Sequence, residues 1–161
     1  MENCNEYLNT LGSILGSELS FNENNDCQFI IEEELGTVIH LDEERNEFLL
    51  LGNVADELPD PVDYSLILDL LSFAYAPAFA TAPGVGRDPE SGIITAWSRI
   101  PINGLSTSEF CEAVRKFIEF QIILSERIKG SEGDEDEEAA AADANSEAEI
   151  SVSATARLLD A

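Results

Sequence analysis

Asp63-Tyr64-Ser65-Leu66-Ile67-Leu68-Asp69-Leu70-Leu71-Ser72-Phe73-Ala74-Tyr75-Ala76 follows the turn-rich Pro59-Asp60-Pro61 and decides how the rest of the chain is read. Its apolar positions cover nearly the whole circumference of a helix. A helix that is apolar all round must be buried on more than one side, and a small domain has one core layer to offer. The second side is therefore expected to face another copy of the chain. This predicts a homodimer, with Leu66, Leu70, Phe73 and Ala74 of this helix and Trp97 of the adjoining strand as interface candidates. The competing arrangement is a central helix covered by the chain's own tail.

On the N-terminal side of this helix lie three β-rich runs, Cys27 to Glu33, Thr37 to Leu41 and Phe48 to Val54, separated by short polar connectors. Short polar links between such runs predict a three-stranded antiparallel meander. Alternation places Phe29 and Ile31 on one face of the first strand, and opposes Val38 and His40 to Thr37, Ile39 and Leu41 in the second. Before the meander, Leu8, Leu11 and Leu15, flanked by Tyr7 and Ile14, form the apolar stripe of a helix over about residues 4–16. Gly16 is its stop signal.

On the C-terminal side, Ala78 to Arg87 and Ile93 to Ile100 read as strands joined by Asp88-Pro89-Glu90-Ser91-Gly92, a turn with Pro early and Gly late. A last helix is announced by the capping box Ser106-Thr107-Ser108-Glu109 and carries Phe110, Val114, Phe117, Gln121, Leu124 and Ile128 on one face. The fold class is α+β: helix, three-stranded antiparallel meander, helix, β-hairpin, helix. Composition shifts after Lys129 to G-S-E-G-D-E-D-E-E, an alanine run and small polar residues. This divides the chain into a domain, 1–129, and an acidic, Ala-rich tail, 130–161, too poor in apolar surface to offset its ordering entropy and expected to be disordered. Within the tail, Glu137 to Ala144 favours helix, and Ile150 with Val152, or Leu158 with Leu159, are the groups able to dock on the domain.

The 161 residues include 33 acidic and 8 basic side chains, a formal net charge of -25. Phosphate binding rests on Lys and Arg clusters that this chain lacks, which argues against nucleic acid and anionic membrane as partners. A basic or apolar partner is favoured. Residues 1–129 hold 23 of the acidic and 7 of the basic residues, so the tail contributes a large share of the charge. Three widely spaced cysteines (Cys4, Cys27, Cys111) and one histidine suggest neither a disulfide framework nor a zinc site. No run has the roughly 18–20 apolar residues of a bilayer span, and the first residues have no basic and apolar leader pattern. A soluble protein of a reducing cytoplasm is expected.

Catalysis has no visible seat. His40 is flanked by apolar strand residues and has no identified nucleophile beside it. Gly84-Val85-Gly86 is not followed by a phosphate-loop Gly-Lys-Ser/Thr and lies inside a strand. The acidic groups Glu32-Glu33-Glu34 and Asp42-Glu43-Glu44 lack the spaced ligands and turn glycine of a calcium loop. No enzyme activity, cofactor or metal is predicted.

In order and spacing, these elements resemble the Tir-chaperone family, the class I chaperones of type III secretion. The resemblance covers about residues 6–128. It rests on the first helix ending in Leu-Gly, on Leu41-Asp42-Glu43-Glu44-Arg45-Asn46-Glu47 before Phe48-Leu49-Leu50-Leu51, and on Ser65-Leu66-Ile67-Leu68-Asp69-Leu70-Leu71. It is carried furthest by Asp88-Pro89-Glu90-Ser91-Gly92 and by Ile100-Pro101-Ile102-Asn103-Gly104-Leu105-Ser106. Two features depart from it: Ala76-Pro77-Ala78-Phe79-Ala80-Thr81-Ala82-Pro83 replaces a glycine-rich link, and the tail is long.

The resemblance implies a dimer that binds an extended N-terminal segment of a secretion effector without ATP, and the secretion apparatus as a further partner. Such binding needs apolar grooves and an available strand edge. Leu8, Leu11, Leu15, Phe29, Ile31, Leu49 and Leu51 are the candidates for core and effector-binding groove. Two alternatives stand beside it: an adaptor of the same fold that sequesters a regulator, and an acidic protein that masks a basic, toxin-like partner.

Overall fold

The computed structural model describes residues 2–130, apart from Glu33, Phe79 and Thr81. The tail beyond Gly130, with its expected disorder, lies outside the described residues. The elements run α1 (Glu2–Leu15), β1 (Asp26–Ile31), β2 (Leu35–Asp42), β3 (Glu47–Ala55), α2 (Tyr64–Tyr75), β4 (Gly84–Arg87), β5 (Ile94–Pro101) and α3 (Thr107–Gly130). This is the predicted order.

Meander and hairpin are continuous: β5 pairs with β3 in one five-stranded sheet of order β1-β2-β3-β5-β4, and every described pairing is antiparallel. One boundary differs from expectation. The strand predicted from Ala78 begins only at Gly84, and Ala76–Ala78 instead forms a 3-10 turn. Pro77 and Pro83 explain the shortening, because neither has an N–H to give to a ladder.

Alternation along the strands sends Leu35, Thr37, Ile39 and Leu41 of β2, Phe48, Leu50 and Val54 of β3, and Ile94, Ala96 and Ile100 of β5 into one buried face. That face is covered by helices. Tyr7 of α1 and Phe110 of α3 both meet Phe48 edge-on or tilted, with ring centroids 5.4 and 4.8 Å away, and each other at 5.2 Å. Full burial of Phe48 and Phe110 contributes roughly 2–3 kcal/mol each. The Tyr7 hydroxyl, which would be costly to bury alone, donates to the Leu105 carbonyl at 2.6 Å.

The local signals act as read. Gly16 ends α1 with φ of 69°, and Gly92 closes the β4–β5 turn with φ of 85°, values that disfavour a side chain. In that turn Asp88 accepts from the Glu90 N–H and the Ser91 hydroxyl, at 2.9 and 2.6 Å. Ser106 and Glu109 form the reciprocal capping box that starts α3: Glu109 accepts from the Ser106 N–H at 2.9 Å, and Ser106 from the Glu109 N–H at 3.2 Å. All six predicted inward positions of α3 are buried, Gln121 among them.

α2 packs beside α3. Phe73 meets Phe120 edge-on at 5.3 Å, and Arg127 of α3 donates to Asp69 at 3.1 Å and to Ser65 at 2.7 Å. Asp63 caps the helix by accepting from the Ser65 hydroxyl and from the Ser65 N–H, the latter at 3.1 Å, and these two hydrogen bonds, the hydroxyl's foremost, hold its carboxyl below the usual range.

Candidate functional site

With α1 and α3 on one face of the sheet, the alternate residues of β2, β3 and β5 point the other way. Cross-strand pairing aligns them: Val38 is opposite Leu51, Leu51 opposite Trp97, and Trp97 opposite Gly84. This row of apolar side chains is only partly buried. A Cβ on Gly84 would lie 2.7 Å from the Trp97 ring and 2.8 Å from Pro77, so the glycine lets the indole lie flat against the backbone of β4. The neighbouring row runs His40, Leu49, Arg99. His40 Nδ1 lies 2.7 Å from Asp26, and Arg99 is paired with Glu47, so polar groups border the apolar row.

The sheet also has an outer edge at β1. Ile30 on that strand is 70% exposed, and an end strand offers one row of unpaired backbone groups. The opposite edge, β4, has four residues and lies near α2.

The seven predicted groove residues do not come together in one groove. Leu8, Leu11 and Ile31 are buried, and Leu15 and Phe29 are partly buried against the same core, on the helix-covered side. Only Leu49 and Leu51 lie on the open face. The sequence stripe of α1 thus marks core, and Val38, which the strand alternation had already set apart from Ile39, joins Leu49 and Leu51. A separate open groove of about 590 Å³ runs along α1 between Asn9, Gly12, Ser13 and the segment Gly16 to Ser20, and none of the seven lines it.

The dimer candidates divide likewise. Leu66 is fully buried in this chain's own core, and Leu70 and Phe73 pack against that core, so Leu66 has no surface left for a partner. Ala74 is exposed, and Trp97 sits in the open-face row. The outward stripe of α2 consists of Tyr64, Ile67, Leu68, Leu71 and Tyr75, with Leu71 62% and Tyr64 71% exposed. The sequence predicts this helix but leaves its rotation open, since apolar residues on nearly every side give the pattern little power to single out the core-facing one.

No reactive centre stands out. Burial pushes the Cys27 and Cys111 thiols up, away from the thiolate form. Among the described residues no three His, Cys, Asp or Glu side chains are grouped to hold a metal ion, and no helix is long and apolar enough to cross a membrane. What the open face and the β1 edge offer is apolar side-chain surface and unpaired backbone groups.

The family model of the Tir chaperone protein (CesT) family matches residues 6–124. No curated protein sequence matches the chain. Among solved structures, the HopA1-SchA chaperone-effector complex contains a chain 24% identical, with a TM-score of 0.64 over 78% of this chain and 98% of that one. The ExsC-ExsE complex aligns with a TM-score of 0.66 at 19% identity, over 79% of this chain and 94% of that one. The Yersinia pestis type III secretion chaperone SycH, in complex with a fragment of YscM2, aligns at 0.58 and 16% identity, over 74% of this chain and 98% of that one. These likenesses agree on the fold, and the family match spans the sheet and all three helices: the chain belongs to the Tir chaperone protein (CesT) family.

Proposed function

We propose that this protein is a dimeric chaperone that holds an extended N-terminal segment of a type III secretion effector in a secretion-competent form, without ATP and without catalysing a reaction. The observation that carries this reading is the one-sided sheet. Helices α1 and α3 cover one face, which leaves Val38, Leu49 and Leu51 partly exposed on the other, with Trp97 beside Pro77 at its border and β1 at an outer edge. An extended client suits both features, since backbone pairing at an edge supplies affinity and alternate side chains enter apolar recesses. The HopA1-SchA structure is of a chaperone-effector complex, which supports a client of the same class here.

Dimerisation is proposed through α2. Its outward stripe of Tyr64, Ile67, Leu68, Leu71 and Tyr75 concentrates five of the large exposed apolar residues on one helix face, an arrangement that marks protein interfaces. The work takes place in the bacterial cytoplasm, before the client enters the secretion apparatus. Binding by apolar burial distinguishes this from charge masking by an acidic protein. The test is titration of the purified chain with the N-terminal region of a type III secretion effector that co-purifies with it, at low and high salt. The reading requires affinity that survives high salt and a complex with two chaperone copies; loss of binding at high salt supports masking instead.

A further inference from the structure

We propose that the recess between the C-terminal turns of α3 and the β1–β2 turn is a subsite for one Lys or Arg side chain of the client. It rests on the proposed function, since that side chain arrives with a segment paired along β1.

The recess has a volume of about 180 Å³. Ile122, Ser125 and Lys129 follow one another at i, i+3 and i+7 along one side of α3 and form its helix wall, with Glu126 at the rim. Glu32, Glu34 and Leu35 form the opposite wall. Lys129 bridges the two, ion-paired with Glu34 at 2.6 Å.

Two independent observations point to a ligand. The first is Ser125, which is 3% exposed and whose hydroxyl has no hydrogen-bond partner among the described residues. A buried polar group left unpaired costs about 1–3 kcal/mol, and native chains keep few of them. The backbone of Ser125 is enclosed in α3, so its side chain is the part that lines the recess. The second is charge. Three carboxyl groups stand against one ammonium, and the ion pairs of the described residues include neither Glu32 nor Glu126. Both of these side chains are exposed.

The lining selects the ligand. Its negative charge calls for a cation, but the carboxyls are not grouped to hold a metal ion. Leu35 and Ile122 offer an apolar wall that a bare ion leaves unused. A Lys or Arg side chain matches both: its methylenes cover Leu35 and Ile122, and its N–H groups donate to Glu32, Glu126 and the Ser125 oxygen. The position suits a client as well. Ile31, the last residue of the edge strand, pairs with Leu35 at the border of the recess, so a segment lying along β1 crosses the recess where it leaves the strand.

Calorimetric titration with the N-terminal region of the co-purifying effector tests this, each Lys and Arg of that region being changed to Gln in turn. One of these changes is expected to weaken binding to the natural chain roughly five-fold, and binding to E32Q/E126Q by less than about two-fold. Glu44→Gln removes a charge at the β2–β3 turn and should behave as the natural chain. Ser125→Ala should weaken binding of the unchanged region roughly two-fold. The subsite is overturned if every Lys or Arg change acts equally on the natural chain and on E32Q/E126Q, if Glu44→Gln weakens binding as much as E32Q/E126Q, or if Ser125→Ala leaves affinity unchanged. Failure of the natural chain to bind the region at all overturns the proposed function, and the subsite with it.

Discussion

Gln121 of α3 occupies the space directly over Gly52 of β3: a Cβ on that glycine would lie 2.5 Å from the Gln121 amide carbon and oxygen. The amide is fully buried and satisfied, accepting from Thr37 at 2.9 Å and donating to the carbonyls of Gly36 at 3.2 Å and Asn53 at 2.8 Å. It ties α3 to β2 and β3 where the β3–β5 register shifts. This fixes the helix on one face of the sheet and so keeps the other face open.

Gly52→Ala should cost about 1–3 kcal/mol by overpacking this contact. Gln121→Ala should cost about 2–3 kcal/mol by stranding its buried partners. Because the first penalty arises from the second side chain, the double variant should be more stable than the sum of the two losses predicts. Denaturant unfolding of the four proteins checks this; strict additivity would mean that the two residues do not interact as described.

Acid should weaken the fold in a defined window. The Arg115 hydrogen bond draws the Glu112 carboxyl from 4.5 down to about 2; hydrogen bonds from Ser106 lower Glu109, and one from Lys129 lowers Glu34. A carboxyl depressed by folding adds stability that is present above its unfolded value and is lost as pH falls toward the folded one. The advantage of the natural chain over Glu112→Gln should thus shrink between pH 4.5 and about 2. These carboxyls are exposed, so salt should reduce the difference. An advantage constant across that range contradicts the assignment.

Leu71→Glu and Leu68→Glu should give folded monomers, weakening dimerisation roughly 100-fold or more. Leu66→Glu should fail to fold, because it places a charge at a fully buried position. Light scattering with circular dichroism separates these outcomes. A natural chain that is monomeric at micromolar concentration removes α2 as an interface.

On the open face, Leu49→Asp and Leu51→Asp should leave the fold intact and weaken client binding roughly ten-fold or more. Leu11→Asp, at a buried core position, should disrupt folding itself. Calorimetric titration and thermal unfolding of the three variants distinguish the roles; unchanged affinity for both open-face variants would move the client elsewhere.

Local chemistry made most of the fold legible. Gly16, the Asp88 to Gly92 turn, and the Ser106–Glu109 box act within a few residues of themselves, and each sits where its sequence signal places it. The side chains facing a partner were harder to read, because an apolar strand or helix residue looks the same whether it meets its own core or another chain. Leu11 of α1 and Leu51 of β3 both belong to apolar stripes, and it is tertiary packing that puts the first in the core and the second on the open face. Gln121 was expected on the inner face of α3, but its partners come from strands far away in the chain. No local pattern announces Thr37, Gly36 and Asn53 as a set.

Limited proteolysis of the purified complex between this chain and its effector, with mass spectrometry of what survives, decides whether an extended segment is what the chain holds. One continuous protected stretch near the effector N-terminus, bound in extended form and released by Leu49→Asp or Leu51→Asp, is the expected result. Protection of a folded effector domain, or of no segment at all while the two proteins stay associated, would contradict it.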